Sequence, residues 1–249
     1  MKDEKVLTGG NATESVVRVG STVRKPWTLA TPSVRAFMDA IRGAGVTVPE
    51  TYGRDEQGRL VLEYIPGALA TDAPLSSAEL RRVGEMVRAI HDAADAFVSQ
   101  ADDVWDTAIP APGADLVCHN DLAPWNLIVG ERWVFIDWDS SAPSTRLWDL
   151  AYSAQAFTLN DPSAEPGDAA RGLRAFIEGY RADRTLREQL PRAMARRAEA
   201  MFRLLQTSHE TGREPWASMY ADGHGAHWRA ATQYVTLCEE YWRQGLLSP

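Results

Sequence analysis

The sequence predicts an α+β chain of two unequal lobes, a small antiparallel β-sheet lobe over residues 1–66 and a larger, mainly helical lobe over 67–249. Three observations carry this expectation. Up to Lys25 the chain breaks into short β-branched runs punctuated by glycine or proline. From Ser77 onward apolar residues recur at helical spacing, and a single apolar hairpin headed by polar groups interrupts the helical part.

The runs "KVLTGG", "SVVRVG" and "STVRKP" read as strands of a small sheet. Val34, Phe37, Met38 and Ile41 share one face of a helix expected from about Pro32 to Arg42, which "GAG" ends. "RLVLEYIPG" is a buried strand stopped by Pro66 and Gly67, and the lobes join near residues 63–67. Leu80, Val83, Val87, Ile90, Ala94 and Phe97 keep a period of three and four, predicting a long helix over Ser77–Phe97. "TLNDPSAEPG" is loop by composition. Further helices are expected around Leu173–Tyr180, from Met194 to Leu205, and as one segment from Trp228 to Leu246.

The formal charge of −8 argues against a nucleic-acid partner, which demands a basic surface to displace counterions. Cys118 and Cys238 are far apart and suggest neither a zinc site nor a disulfide, so a reducing compartment is expected. "MKDEKVLTGG" lacks an apolar signal core and no run approaches the roughly 18 apolar residues of a membrane span, which together predict a cytoplasmic protein with no membrane partner.

The densest signal is "HNDLAPWNLIVGERWVFIDWD". Leu127–Val129 and Trp133–Ile136 are apolar runs separated by Gly130, Glu131 and Arg132, the makings of a tight hairpin. Folding there brings Asn126 and Asp137 to one end, where an amide oxygen and a carboxylate are hard ligands suited to Mg²⁺. Asp121, in an irregular loop held by Pro124, is positioned to accept a proton from an attacking hydroxyl. His119 joins it as the organiser of the loop, hydrogen-bonding backbone and doing no chemistry itself.

These residues resemble a known family. "HNDLAPWN" has the His-x-Asp-x-x-x-x-Asn spacing of the kinase catalytic loop, and "FIDWD" stands where the metal-binding aspartate of kinases follows the hairpin. With "RLWDLA" behind it, the segment is similar to the aminoglycoside phosphotransferase and choline kinase family, over roughly Leu7 to Tyr180. The short first lobe also looks like the small phosphotransferases related to trifolitoxin immunity proteins. The resemblance implies a protein-kinase-like two-lobe fold and an ATP- and Mg²⁺-dependent phosphotransferase. It also implies that Asp121 is the base, that Asn126 and Asp137 hold the metal, and that Asp149 ties down the catalytic loop from the following helix.

By the same resemblance the first lobe binds the nucleotide. Gly9, Gly10 and Asn11 in "LTGGNATESVV" offer a turn where backbone can approach a polyphosphate. Arg24 and Lys25 are both candidates for the phosphate-holding cation, and strand alternation lets one of them face inward. The following proline favours Arg24, whereas Val23 favours Lys25 if the adenine needs an apolar floor. Leu62, Glu63, Tyr64 and Ile65 match the connecting strand whose backbone reads the adenine edge. The helix "TPSVRAFMDAIRG" departs from the pattern, with no glutamate to pair with the cation and only Arg35 and Asp39 nearby.

The acceptor is expected to be a small molecule with a hydroxyl group: an aminoglycoside-like antibiotic, an amino alcohol or a sugar. Asp139, Asp161, Glu165 and Asp168 are candidates for holding a cationic acceptor, and "GREPWASMYADGHGAHW" has a composition suited to a ligand mouth. The competing expectation is a non-catalytic kinase-like immunity or sequestering protein that holds a peptide or drug in the cleft.

Overall fold

The computed structural model describes residues 4–7 and 16–248. Gly9, Gly10 and Asn11 lie outside the described residues. In chain order the elements are β1 (Glu4–Val6), β2 (Val17–Val19), β3 (Thr22–Lys25), α1 (Thr31–Gly43), β4 (Thr51–Arg54), β5 (Leu60–Glu63), β6 (Ala68–Leu69) and α2 (Ser77–Ala94). They continue with β7 (Leu116–Cys118), β8 (Leu127–Val129), β9 (Val134–Phe135), β10 (Ala142–Ser144), α3 (Arg146–Thr158), α4 (Pro166–Tyr180), α5 (Arg184–Thr211), α6 (Trp216–Met219), α7 (Gly225–Leu237) and α8 (Glu239–Leu247).

The first five strands form one antiparallel sheet in the order β1-β2-β3-β5-β4. Central β3 pairs with both β2 and β5, with Arg24 opposite Val61 and Lys25 opposite Leu60. After β5 the chain leaves this sheet, and β6 pairs instead with β8 in the order β6-β8-β9. The expected hairpin forms there, with Leu127 opposite Phe135 and Ile128 opposite Val134. At the crossing a Cβ on Gly67 would stand 2.6 Å from the Val129 carbonyl oxygen, and its φ of +152° also suits glycine.

The helical part packs around α2. Ser76 caps it in a reciprocal box with Glu79, satisfying two orphan N–H groups at its start. Its apolar stripe, Val83, Val87 and Ile90, is fully buried with Phe176 and Ile177 of α4, and each such side chain contributes about 1.5–3 kcal/mol. Helices α2 and α4 meet backbone to backbone: a Cβ on Gly84 would lie 2.8 Å from the Tyr180 nitrogen, and one on Gly179 would lie 2.7 Å from the Arg81 carbonyl carbon.

Two expectations change. The Met194–Leu205 segment is the middle of a longer helix, α5, capped by Asp183, whose Oδ1 accepts from the Leu186 N–H at 2.8 Å, and closed by Gly212 at φ 68°. The single last helix is two: the chain breaks at Cys238, φ −100°, and beyond the break Trp242 is wholly buried in the core. Among the described residues no helix is long and apolar enough to cross a membrane.

Candidate active site

Strand β7 delivers the loop that follows it with a reversal at Asn120, whose φ is 63°. Asparagine tolerates this left-handed conformation better than most residues, and its Nδ2 donates to the carbonyls of Ser140 and Ala142, each at 3.2 Å. His119 is fully buried beside it. Its Nδ1 accepts from the Asp121 N–H at 3.2 Å and its Nε2 lies 3.1 Å from the Ile136 carbonyl. An acceptor at one nitrogen and a donor at the other define the neutral Nε2–H tautomer, and burial lowers the imidazole pKa in agreement. His119 therefore staples the loop to the hairpin, in contact with Trp138 at 4.6 Å between ring centroids.

Asp121 sits half-buried at the mouth of the loop. Its Oδ1 accepts from the Tyr152 hydroxyl at 2.9 Å and its Oδ2 from Asn126 Nδ2 at 2.8 Å. Burial pushes its pKa up to about 7, with the Asp137 charge adding to the rise, while Tyr152, Arg197 and Asn126 oppose it. Asn126 also donates from Nδ2 to the Asp121 carbonyl at 3.0 Å. Because both partners are acceptors, the amide nitrogen must face Asp121, and the amide oxygen stays free of that contact.

Asp137 caps the short helical turn Trp138–Ser140 from a left-handed conformation, φ 62°. The Lys25 ammonium meets its Oδ1 and also lies 2.6 Å from Asp139 Oδ2. Lys25 is only 6% exposed. Burial alone would lower its pKa, and the two carboxylates reverse that and hold it raised. Burial likewise works to raise the Asp137 pKa, but the lysine charge prevails and the carboxyl stays below its ordinary range.

Of the two candidate cations, Lys25 and not Arg24 thus faces the site. Strand alternation sends Arg24 to the other face, where its Nε lies 3.3 Å from Asp55 Oδ2. The absent helix glutamate is matched by Asp137 and Asp139 on the lysine, while Asp39 pairs with Arg42 within its own helix. Asp149 also differs from expectation: its Oδ2 pairs with His91 Nε2 at 3.0 Å, and His91 Nδ1 with the Tyr180 hydroxyl at 2.8 Å. It ties α3 to α2 beneath Cys118, not to the loop itself. His91 lies 58 residues before it, a separation that no local pattern reveals.

Two cavities flank these residues. The first, about 270 Å³, lies under the five-stranded sheet and is lined by Val23, Lys25, Leu62, Ile128, Asp137 and Asp139 among others. Glu63, Tyr64 and Ile65 line it as well, although the Tyr64 N–H is engaged, donating to the Ser21 carbonyl at 3.0 Å. The second, about 640 Å³, opens among the helices and is lined by Asp121, Tyr152, Arg197, Trp216, His224 and Trp228 among others. Trp125, Asn126 and Asp137 belong to both and form the wall between them. The segment Gly212–Trp228 supplies much of the second mouth, as its composition suggests, whereas Asp161, Glu165 and Asp168 do not line it.

Sequence reasoning did not single out Tyr152 or Arg197. Tyr152 stands three residues after Asp149, on the same face of α3. Arg197 continues the stripe Leu190, Met194, Met201, Leu205 at offsets of three and four, so its presence on an apolar face was a readable signal.

The model of the family described as phosphotransferase enzyme family matches residues 93–186, the stretch that holds His119 through Asp149. The trifolitoxin immunity protein of Rhizobium leguminosarum bv. trifolii is 29% identical over 195 residues, covering 72% of this chain and 75% of that protein. A microcompartment-associated aminopropanol kinase superposes with a TM-score of 0.67 at 15% identity, over 99% of this chain and 94% of that one. An amicoumacin kinase in complex with AMP-PNP and Ca²⁺ gives 0.66 at 12% identity, over 94% of this chain and 88% of that one. The chain has the two-lobed, protein-kinase-like fold of these two kinases, with a sheet lobe and a helical lobe, and over residues 93–186 it resembles the phosphotransferase enzyme family.

Proposed function

We propose that the protein is an ATP- and Mg²⁺-dependent phosphotransferase that moves the γ-phosphoryl group to a hydroxyl of a small molecule. The observation that carries the reading is the shared wall: Asn126 and Asp137 face both cavities, and Asp121 stands on the acceptor side of that wall. The nucleotide occupies the cavity under the sheet and the acceptor the one among the helices.

The residues fit a magnesium ion by their chemistry. Asn126 has given its nitrogen to Asp121, which leaves an amide oxygen, and Asp137 is an ionised carboxylate with a third of its side chain exposed. These are hard donors of the kind that bind Mg²⁺ together with substrate phosphates. When bound, the ion supplies charge neutralisation at the phosphates. Lys25, buried and positively charged, holds the polyphosphate against Asp137 and Asp139. Asp121 accepts the proton of the acceptor hydroxyl, with Tyr152 and Asn126 fixing its carboxylate in place. His119 maintains the loop.

Nucleotide consumption across a panel of hydroxyl acceptors, with wild type and Asp121→Asn in parallel, tests the reading. Acceptor-stimulated turnover in wild type and its loss in the variant are expected. Undiminished turnover by the variant rejects the role of Asp121.

A second reading, a non-catalytic immunity or sequestering protein, is supported by the 29% identity to an immunity protein and by the lack of a helix glutamate beside Lys25. Calorimetry with Mg·ATP separates the two, since absence of binding at millimolar nucleotide favours this second reading.

A further inference from the structure

Arg197 enters the wall of the larger cavity from α5, and the described residues leave it short of partners. It is 5% exposed. Its Nη1 has no hydrogen-bond acceptor, and its Nη2 has one long contact, donating to the Asn120 carbonyl at 3.5 Å. No carboxylate among the described residues lies within ion-pair distance of it. The guanidinium rests on the Tyr152 ring at 4.1 Å from the centroid, the same tyrosine that donates to Asp121. The Asp121 charge reaches the guanidinium only from beyond ion-pair distance, burial on those terms is costly, and a methionine or leucine would fill the same space along a stripe that otherwise holds them. Its place beside the proton-accepting carboxylate offers a reason for keeping it.

The remaining lining agrees. Apart from Asp121 and Asp137, the only acid lining this cavity among the described residues is Asp222, and it shares that stretch of the lining with His224 and His227. Trp125, Met201, Met219 and Trp228 supply apolar and aromatic surface. An ammonium group brought in next to Arg197 meets repulsion, and besides Asp121 and Asp137 only Asp222 lines the cavity to receive it.

We infer that the acceptor is a hydroxyl compound that also carries a carboxylate, which Arg197 receives while Asp121 faces the hydroxyl. This rests on the phosphotransfer reading for the hydroxyl, but not for the anion subsite itself. It replaces the cationic acceptor expected from the acidic loop. Guanidinium presents paired N–H donors in the plane that a carboxylate accepts.

The test is direct binding, measured by calorimetry on the full chain with a matched trio: phenyllactate, the neutral phenylpropanediol and the cationic phenylalaninol. Phenyllactate is expected to bind at least about tenfold more tightly than either relative, and Arg197→Gln to remove that preference. Arg197→Lys is expected to retain part of it. Mg·ATP binding in the same samples reports that each variant is folded. Equal binding of the trio by wild type, no binding of phenyllactate at tens of millimolar, or an unchanged preference in Arg197→Gln overturns the inference. If the acid preference depends on Arg197 but phenyllactate and glycerate elicit no nucleotide turnover, the anion subsite stands and the phosphotransfer reading fails.

Discussion

Asn126 commits its side-chain nitrogen to Asp121, donating to the carboxylate Oδ2 at 2.8 Å and to the carbonyl at 3.0 Å. One amide therefore both steadies the proposed base and turns its oxygen toward the proposed metal position. Asn126→Ala removes both effects. The expected result is a fall in kcat/KM of about 10–100-fold, a higher Mg²⁺ requirement, and a base that titrates at higher pH because a hydrogen bond to its ionised form is gone. Magnesium titration of the turnover rate checks the second of these.

As the proposed base Asp121 must be ionised to accept a proton, and its pKa, pushed up to about 7, is expected to set the acidic limb of the rate profile. Turnover is expected to rise with pH through about 7 and then level. Tyr152→Phe deletes the hydroxyl that stabilises the carboxylate. Its profile is expected to shift to higher pH with the plateau less affected than the rate at pH 6. A limb that stays in place in the variant removes Tyr152 from this role.

Asp121→Asn is expected to lower kcat by about 10²–10⁴-fold while leaving Mg·ATP affinity within a few-fold of wild type. It also makes a stability prediction. An acid whose pKa is raised by folding binds more protons in the folded than in the unfolded state, so its contribution to stability falls as pH rises from about 4 to about 7. The melting temperature of the variant relative to wild type is thus expected to grow over that window and flatten above it, by about 3 °C or more. A constant difference across pH contradicts the burial of this carboxylate.

Lys25 and Arg24 are neighbours on one strand with opposite surroundings. Lys25→Ala is expected to weaken Mg·ATP binding by about tenfold or more, and also to raise the Asp137 pKa toward its ordinary range as the ammonium that lowers it is lost. Arg24→Ala breaks the pair with Asp55 and the hydrogen bonds to Thr22 Oγ1 and the Val23 carbonyl, and is expected to cost about 1–2 kcal/mol, without changing nucleotide affinity. Isothermal titration of the two variants side by side distinguishes these outcomes.

Gly179→Ala tests the scaffold. The added methyl would meet the carbonyl carbon of Arg81 at 2.7 Å, where backbone and not a flexible side chain must give way. A loss of about 1–3 kcal/mol in denaturant unfolding is expected, because α2 and α4 must separate.

Much of the architecture was legible in the sequence because it depends on local periodicity. The stripe Leu80, Val83, Val87, Ile90 defines α2 wherever α2 lies, and the apolar runs about Gly130 to Arg132 define the hairpin whatever packs on it. The break at Cys238 escaped, since continuous helical spacing runs through it from Val235 to Leu246.

The candidate site divides in the same way. The spacing within His119–Asp137 pointed to Asp121, Asn126 and Asp137 as a group, since fewer than twenty residues and one hairpin connect them. The tertiary structure decided what approaches from afar: that Lys25 and not Arg24 faces Asp137, that Asp149 partners His91, and that Arg197 lines the larger cavity. The physical reason is range. Propensity and periodicity act over a few residues, whereas an ion pair between residues 112 positions apart depends on how a sheet and a helical lobe are stacked, and side-chain chemistry along the chain carries no direct record of that.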